Sequence, residues 1–358
     1  MSNSNGFLEL TDFNYYNMMR LGQANSICNR RVHAPAQVFG VMDTGTRSVN
    51  GAGLEWIDEN GNIITLTKAD FDAHPAFNFP EVIVGGNSFR SIPIAYWKRG
   101  IGPIGSHAAG KWCMWISDVP LDGFTANPGA FKRNGSWLDR FLLGTYRAFN
   151  NGGVPGSQPG KTHWGSVSWQ AFKDAAAGIG EGHHMISLQE WHEILGRAVI
   201  EQKTFQLVPE ASRQNASLCK YRGIEEFAFD GSYGSTHAEW MDGARTDASG
   251  KYELWTEAGG DYSSTGVTCP QDSASEATYY NQGLVTGGLF DHLFLGASLG
   301  PASTSFIPDF SGRNPGLVGR ICRSHFYVGH ASNGAFHSYF SDLPSLVDAK
   351  IGSRLAKW

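Results

Sequence analysis

Cysteine and histidine are the residues whose chemistry is easiest to test by spacing. The five cysteines, Cys28, Cys113, Cys219, Cys269 and Cys322, are scattered and odd in number, with no Cys-x-x-Cys and no Cys/His ligand spacing. That pattern predicts buried free thiols rather than a zinc site. His183-His184, with His192 further on, could be imagined as metal ligands. His192-Glu193-Ile194-Leu195-Gly196 lacks the second histidine of a His-Glu-x-x-His zinc motif, so loop or helix-surface histidines are expected. Gly178 and Gly180 follow a helical pattern instead of joining a strand to a helix, which argues against a phosphate-cradling loop. Trp240-Met241-Asp242 falls just short of a calcium-binding Trp-Asn-Asp, and Glu-Pro-Asn is absent. No cofactor is expected, although Asp-rich loops such as the one holding Asp261 leave room for a calcium or magnesium ion.

The stretch from Ser324 to Asp348 has a different composition. It holds Ser324, His325, Phe326, Tyr327, His330, Ser332, Asn333, Phe336, His337, Ser338, Tyr339, Phe340, Ser341 and Asp342. Rigid aromatics supply contact area and small polar groups supply adaptable hydrogen bonds, as in a paratope. Ser324, His325, Phe326, Tyr327, His330, Ser332, Asn333, His337, Tyr339 and Asp342 are therefore the candidate ligand-binding residues. Phe336 and Phe340 also read as ordinary core.

Two helices stand out among the elements that would position this stretch. Ser168–Ala177 reads as a helical run that stops at Gly178, a suitable residue to follow a helix. Ser187-Leu188-Gln189-Glu190 spells a capping box, followed by Trp191, Ile194, Leu195, Ala198 and Val199 on one face. Ile92–Lys98 and Lys111–Ser117 alternate like half-buried strands. Glu55–Thr67 suggests strands around an Asn60-Gly61 hairpin turn, and 256–288 and 296–318 read as long loops.

The whole chain of 358 residues is 41% hydrophobic and only 17% charged, with 45 glycines. That composition predicts a folded protein rich in tight turns. Net charge is −5 with no Lys/Arg run, which argues against nucleic acid. No run of 18 apolar residues occurs, so no membrane insertion is expected. Met1–Gly6 lacks the features of a secretory signal, predicting synthesis and assembly in a cytoplasm. Residues 1–70 read as a small β-rich attachment or oligomerisation module, and residues 71–358 as the main domain.

Several segments of 71–358 carry a resemblance, in order along the chain. They are Asp122–Phe131 with Phe141–Tyr146, the two helical runs, Tyr221–Glu226 with Ala238–Gly243, Gly319–Tyr327, and Asn333–Phe336 with Ile351–Ala356. Together they resemble the formylglycine-generating-enzyme, or sulfatase-modifying, type of C-type lectin fold. They are more similar still to phage tail proteins and to diversity-generating-retroelement variable proteins that reuse it. The resemblance implies an α+β, C-type lectin-like domain with two helices, short strands and long ordered loops. Departures are plain too. Ser324-His325-Phe326-Tyr327 stands where the family has Gly-Gly-Ser-Trp, Glu226 stands where Asn is common, and residues 1–70 have no counterpart in the enzyme.

The resemblance gives Trp240, Asp242, Glu225 and Arg354 structural roles: Trp240 in the core, the acids pinning loop N–H groups, and Arg354 paired to a carboxylate. It implies a non-catalytic, receptor-binding phage tail protein, made in the host cytoplasm and carried on the virion tail. Residues 1–70 would join other tail proteins, and trimeric fibres suggest a homotrimer by analogy. The residue types in 324–342 are also those produced when adenines of Asn codons are altered, as in the variable proteins. Two alternatives stand beside this reading. A divergent enzyme of the formylglycine-generating group would need a second thiol near Cys322, and a purely structural virion component would bury 324–342 under partners.

Overall fold

The computed structural model describes residues 37–48, 51–207, 219–227, 238–246, 252–258, 261–268, 280–281, 284, 291–295, 299–300, 306–312, 320–323, 335–336 and 338–358. Among them the fold is α+β and sheet-rich, with four helices. These are α1 (Lys68–Ala73), α2 (Pro128–Phe131), α3 (Trp169–Ala177) and α4 (Leu188–Gln202), beside a short 3-10 turn at Pro75–Phe77.

The first sheet runs β2-β1-β6-β5-β7. Its strands are β1 (Val38–Ser48), β2 (Gly51–Ile57), β5 (Tyr96–Ile101), β6 (Trp112–Ser117) and β7 (Thr125–Ala126). The second runs β13-β23-β10-β4-β3. It uses β3 (Glu81–Val84), β4 (Asn87–Pro93), β10 (Arg140–Gly144), β13 (His183–Met185) and β23 (Leu355–Lys357). The largest runs β16-β15-β14-β20-β21-β19-β17-β18, and β22 pairs in parallel with β14. It comprises β14 (Ala238–Thr246), β15 (Tyr252–Ala258), β16 (Asp261–Thr268), β17 (Tyr280–Asn281), β18 (Leu299–Gly300), β19 (Ile307–Gly312), β20 (Arg320–Arg323), β21 (Ser338–Asp342) and β22 (Ile351–Ser353). Two small hairpins complete the set: β8 (Lys132–Arg133) with β9 (Ser136–Trp137), and β11 (Phe149–Asn151) with β12 (Val154–Gly156).

The proposed boundary near residue 70 does not coincide with a sheet boundary. Strand β1 pairs with β6 from Val38↔Ser117 to Met42↔Cys113, and Trp56 Nε1 donates to the Ile200 carbonyl of α4 at 2.6 Å. Residues 1–36 lie outside the described residues. Turn chemistry also differs in detail. Asp58 Oδ1 accepts from the N–H groups of Asn60 and Asn62, and Gly61 adopts φ +81, so the Asn-Gly turn is present. Its second arm is only an Ile57↔Ile63 bridge, and the true hairpin is β1–β2.

The run 92–98, read as one strand, is divided between two sheets, because β4 ends at Pro93 and β5 starts at Tyr96. Proline has no N–H to carry the ladder onward. The expected 256–288 loop contains β16, which forms a hairpin with β15 through pairs such as Glu257↔Tyr262. Tyr, Thr and Val in 261–268 are good strand formers, and they outweigh the serines and glycine that suggest a loop.

Helix ends follow local chemistry. Ser187 Oγ accepts from Glu190 N–H while Glu190 Oε2 accepts from Ser187 N–H, so the capping box is formed. Thr67 and Asp70 form another on α1. Ser168 caps α3, but Gly178 stays right-handed, and the left-handed turn falls to Gly180 at φ +75. Helix α4 is more than a one-sided amphipathic helix. Every residue from Leu188 to Ile200 is buried, including Gln189, Glu190, His192, Glu193 and Arg197.

Packing against α4 demands glycine at two places. A Cβ on Gly129 would lie 2.4 Å from Gln189 Cγ, and one on Gly243 would lie 2.0 Å from Gln189 Oε1, with φ at +84. Gly45 has nearly the same φ, +83, but open space around it. Gly243→Ala should therefore cost about 3 kcal/mol, strain plus overpacking, against about 1 kcal/mol for Gly45→Ala. Chemical denaturation would check this, and equal costs would contradict the packing argument.

Candidate functional site

The candidate stretch lies between two paired strands. β20 and β21 are antiparallel, with Arg320↔Asp342, Cys322↔Tyr339 and Arg323↔Ser338 as partners, and β21 also pairs with β19. Residues Ser324, His325, Phe326, Tyr327, His330, Ser332, Asn333 and His337 lie outside the described residues. Tyr339 and Asp342 are placed on β21 by backbone register alone. The structure thus fixes where the stretch leaves the sheet, at Arg323, and where it returns, at Ser338.

A buried charge cluster sits at the exit point. Glu239 on β14 is the register partner of both Arg323 and Gly352. Its Oε1 lies 3.2 Å from Arg354 Nη2 and 3.1 Å from Arg147 Nε. Arg354 is fully buried; Nη1 donates to the Gly144 and Thr145 carbonyls, and Nη2 donates to the Glu225 carbonyl. Arg147 also reaches Glu226 Oε2 at 2.8 Å. Glu225 donates its N–H to the Thr145 carbonyl, and its carboxylate lies 2.8 Å from Lys220 Nζ. Burial, followed by the Arg147 charge, lowers the pKa of nearby His163. Carboxylates committed to guanidinium groups in this way hold backbone in place, and low dielectric makes the loss of any partner costly.

The other predicted structural residues belong to the same frame. Trp240 is buried and donates from Nε1 to the Val167 carbonyl at 3.0 Å. Asp242 Oδ1 accepts from Gly243 N–H, and Oδ2 lies 3.1 Å from Lys173 Nζ.

A second anchor lies at the return point. Ala335 and Phe336 are buried. The Ala335 carbonyl accepts from Trp191 Nε1 at 3.1 Å, and the Phe336 ring centroid lies 5.3 Å from Phe294 and 5.8 Å from Phe205. Phe294 in turn donates its N–H to His192 Nδ1 at 2.9 Å, while Arg99 Nη1 donates to the Leu293 carbonyl at 2.7 Å. Burial, reinforced by the Arg99 charge, pulls His192 and His292 each down to about 3. Burial also lowers Arg99 to about 10, against the pull of Asp291 and Glu193.

The histidines expected on loops or a helix surface are buried instead. His184 Nε2 lies 2.8 Å from Glu190 Oε1, which Arg133 Nη2 also contacts at 2.9 Å. Burial alone would raise Glu190; the His184 and Arg133 contacts outweigh it and hold the carboxyl below its usual value. Isolated His residues give no sequence cue to such partners, since Arg133 is distant in the chain. Among the described residues no three His, Cys, Asp or Glu side chains are grouped to hold a metal. Cys113 and Cys219 are buried and form no disulfide among the described residues, and burial pushes the Cys113 thiol up to about 11. Cys28 and Cys269 lie outside the described residues, and Cys322 is placed only by its backbone on β20.

Glu239, Arg147, Trp191, Arg99 and His292 are absent from the sequence-based candidates, and His192 enters them only as an imaginable metal ligand. Glu239 left one usable sign, a lone acid in the apolar run Ala238-Glu239-Trp240-Met241 of a strand. Gly296-Ala297-Ser298-Leu299-Gly300 also fits Gly-x-Ser-x-Gly spacing. That motif needs its serine on a turn from strand into helix, whereas here strand β18 follows directly at Leu299–Gly300.

No protein-family model matches the chain, and no curated protein matches it. Two expectations follow from the anchors. Glu239→Gln, which leaves buried guanidinium groups without their carboxylate, should lower unfolding free energy by about 3–5 kcal/mol. Trp191→Phe, which keeps an aromatic ring but removes the donor to Ala335, should cost roughly 1–3 kcal/mol. Urea titration reads both, and a neutral Glu239→Gln would show that the cluster is not structural.

Proposed function

We propose that this chain is a phage tail-tip protein of the C-type lectin-like, formylglycine-generating-enzyme type, and that it binds a host-surface receptor without catalysis. Residues 324–342 form the ligand surface and recognise a protein or glycan. The N-terminal part joins other tail proteins, the protein is a homotrimer on the virion tail, and no resident cofactor takes part.

One observation carries the reading. The aromatic and polar stretch springs from a hydrogen-bonded strand pair whose two ends are pinned, one beside the Glu239–Arg354–Arg147 cluster and the other by Phe336 and Ala335 in the core. A variable binding segment requires such a base, because rigid supports reduce the entropy lost when a loop orders on its partner. The composition of the stretch and the order of the resembling segments support the same reading.

The test is binding of purified protein to intact candidate host cells. The triple variant His325→Ala/Tyr327→Ala/Tyr339→Ala should lose binding by tenfold or more while keeping the wild-type unfolding midpoint. Equal binding by a folded variant would move the site elsewhere. Failure of wild type on every plausible host would favour the structural or enzymatic alternatives, and thiol labelling of Cys322 would then separate those two.

A further inference from the structure

We propose that residues 291–295 are an acid-released latch: protonation of His192 and His292 detaches this segment from α4 and β5 and loosens the Ala335–Phe336 anchor. The proposal does not depend on what 324–342 binds.

The geometry requires a neutral imidazole. A backbone N–H can only donate, so the 2.9 Å bond from Phe294 N–H to His192 Nδ1 exists only while that nitrogen is unprotonated. Protonation sets two N–H groups against each other in a buried site. His292 is also buried; its Nε2 lies 3.4 Å from Thr125 Oγ1, and its Nδ1 has no hydrogen-bond partner among the described residues. A charge on either ring would stand near the Arg99 guanidinium, which bonds the Leu293 carbonyl and lies 4.1 Å from the Phe294 ring centroid. The His192, His292 and Arg99 contacts of the latch therefore each involve either a group that must stay neutral or the cation that repels its charged form.

Among the described residues, charged and titratable groups around the latch are few. Arg99 faces it from β5, Asp291 lies on the segment itself, and Glu193 lies next to His192 on α4. Glu193 is already engaged, accepting from Trp97 Nε1 at 2.7 Å and from Arg197 Nη1 at 2.6 Å. Asp291 and Glu193 act on Arg99, whereas Arg99 is the charge acting on both imidazoles.

The link to the anchor is direct packing. Phe294 contacts Phe336 and Phe205, and Phe336 contacts Phe205. Release of Phe294 removes one side of the pocket that holds Phe336, while the Phe205 contact and the Trp191–Ala335 bond remain at the return point.

The direction with pH follows from linkage. Closed, both imidazoles titrate near 3; released and solvated, they titrate near the ordinary 6.5. Closure is unpenalised above pH 6.5, weakens as pH falls from 6.5 towards 3, and weakens no further below that. Each histidine that becomes solvated shifts the opening equilibrium by on the order of 20-fold between pH 7 and pH 5.

Hydrogen exchange on the full chain at pH 7 and pH 5, corrected for the intrinsic exchange rate, tests the latch. Protection of 291–295 and 335–336 should fall about tenfold or more, while that of β5 and β6 holds. In His192→Asn/His292→Asn the difference should vanish, since the Asn carbonyl can accept from Phe294 N–H at either pH. Unchanged protection in wild type, an equal loss across β5 and β6, or a full pH response in the double variant would each overturn the proposal. If the variant does not fold, the wild-type contrast between 291–295 and β6 decides. Host-cell binding at neutral pH is a separate readout, so failure here leaves the receptor reading untouched, and the reverse also holds.

Discussion

A helix buried from Leu188 to Ile200 must find a partner for the polar groups it carries, and most of this fold follows from that demand. The Glu193–Arg197 pair is its centre. Arg197 donates to the Ala76 and Pro93 carbonyls as well as to Glu193, and Glu193 accepts from Trp97. The 3-10 turn, the β4–β5 junction and strand β5 are thereby bonded to one helical turn. Gln189 Nε2 donates to the Gly243 and Trp255 carbonyls, Glu190 holds Arg133 and His184, and His192 holds Phe294. Burial of Glu193 pushes its pKa up against the pull of Arg197. A pair of this kind adds little net stability over an apolar equivalent, but a wrong arrangement would strand a buried charge. We read it as a device for specifying one packing.

Local features were legible in the sequence because local chemistry produces them. The Ser187–Glu190 capping box, helix α3 and the strand at 112–117 are decided by near neighbours in the chain. Features that depend on distant partners were not. Apolar periodicity on α4 marks one face for burial, yet Gln189, Glu193 and Arg197 are buried too, and only their tertiary partners explain it. The division of 92–98 between two sheets had a visible cause in Pro93, outweighed by the alternation around it. The Glu239 cluster joins residues from four separated stretches; Glu239 itself is marked only as a single acid among apolar neighbours, and the resemblance gives Arg354 an unnamed carboxylate partner.

The candidate surface has the same division. Composition singled out 324–342, while the support beneath it came from Arg147, Glu239, Trp191 and Phe294, of which only Glu239 has an unusual local sequence. A display surface and its foundation answer to different constraints: the first needs chemical variety, the second needs satisfied buried bonds.

The segment 351–357 has a consequence for the order of assembly. β22 joins the largest sheet beside β14, β23 enters the second sheet between β13 and β10, and Arg354 between them bonds a carbonyl 210 positions away. Neither sheet has its full complement of strands until this one stretch is in place. A folding chain must therefore hold open strand edges through much of its search, with loop-closure entropy opposing the final step. Such non-local pairing favours slow folding, in which protection of those edges from neighbouring chains matters as much as the stability finally reached.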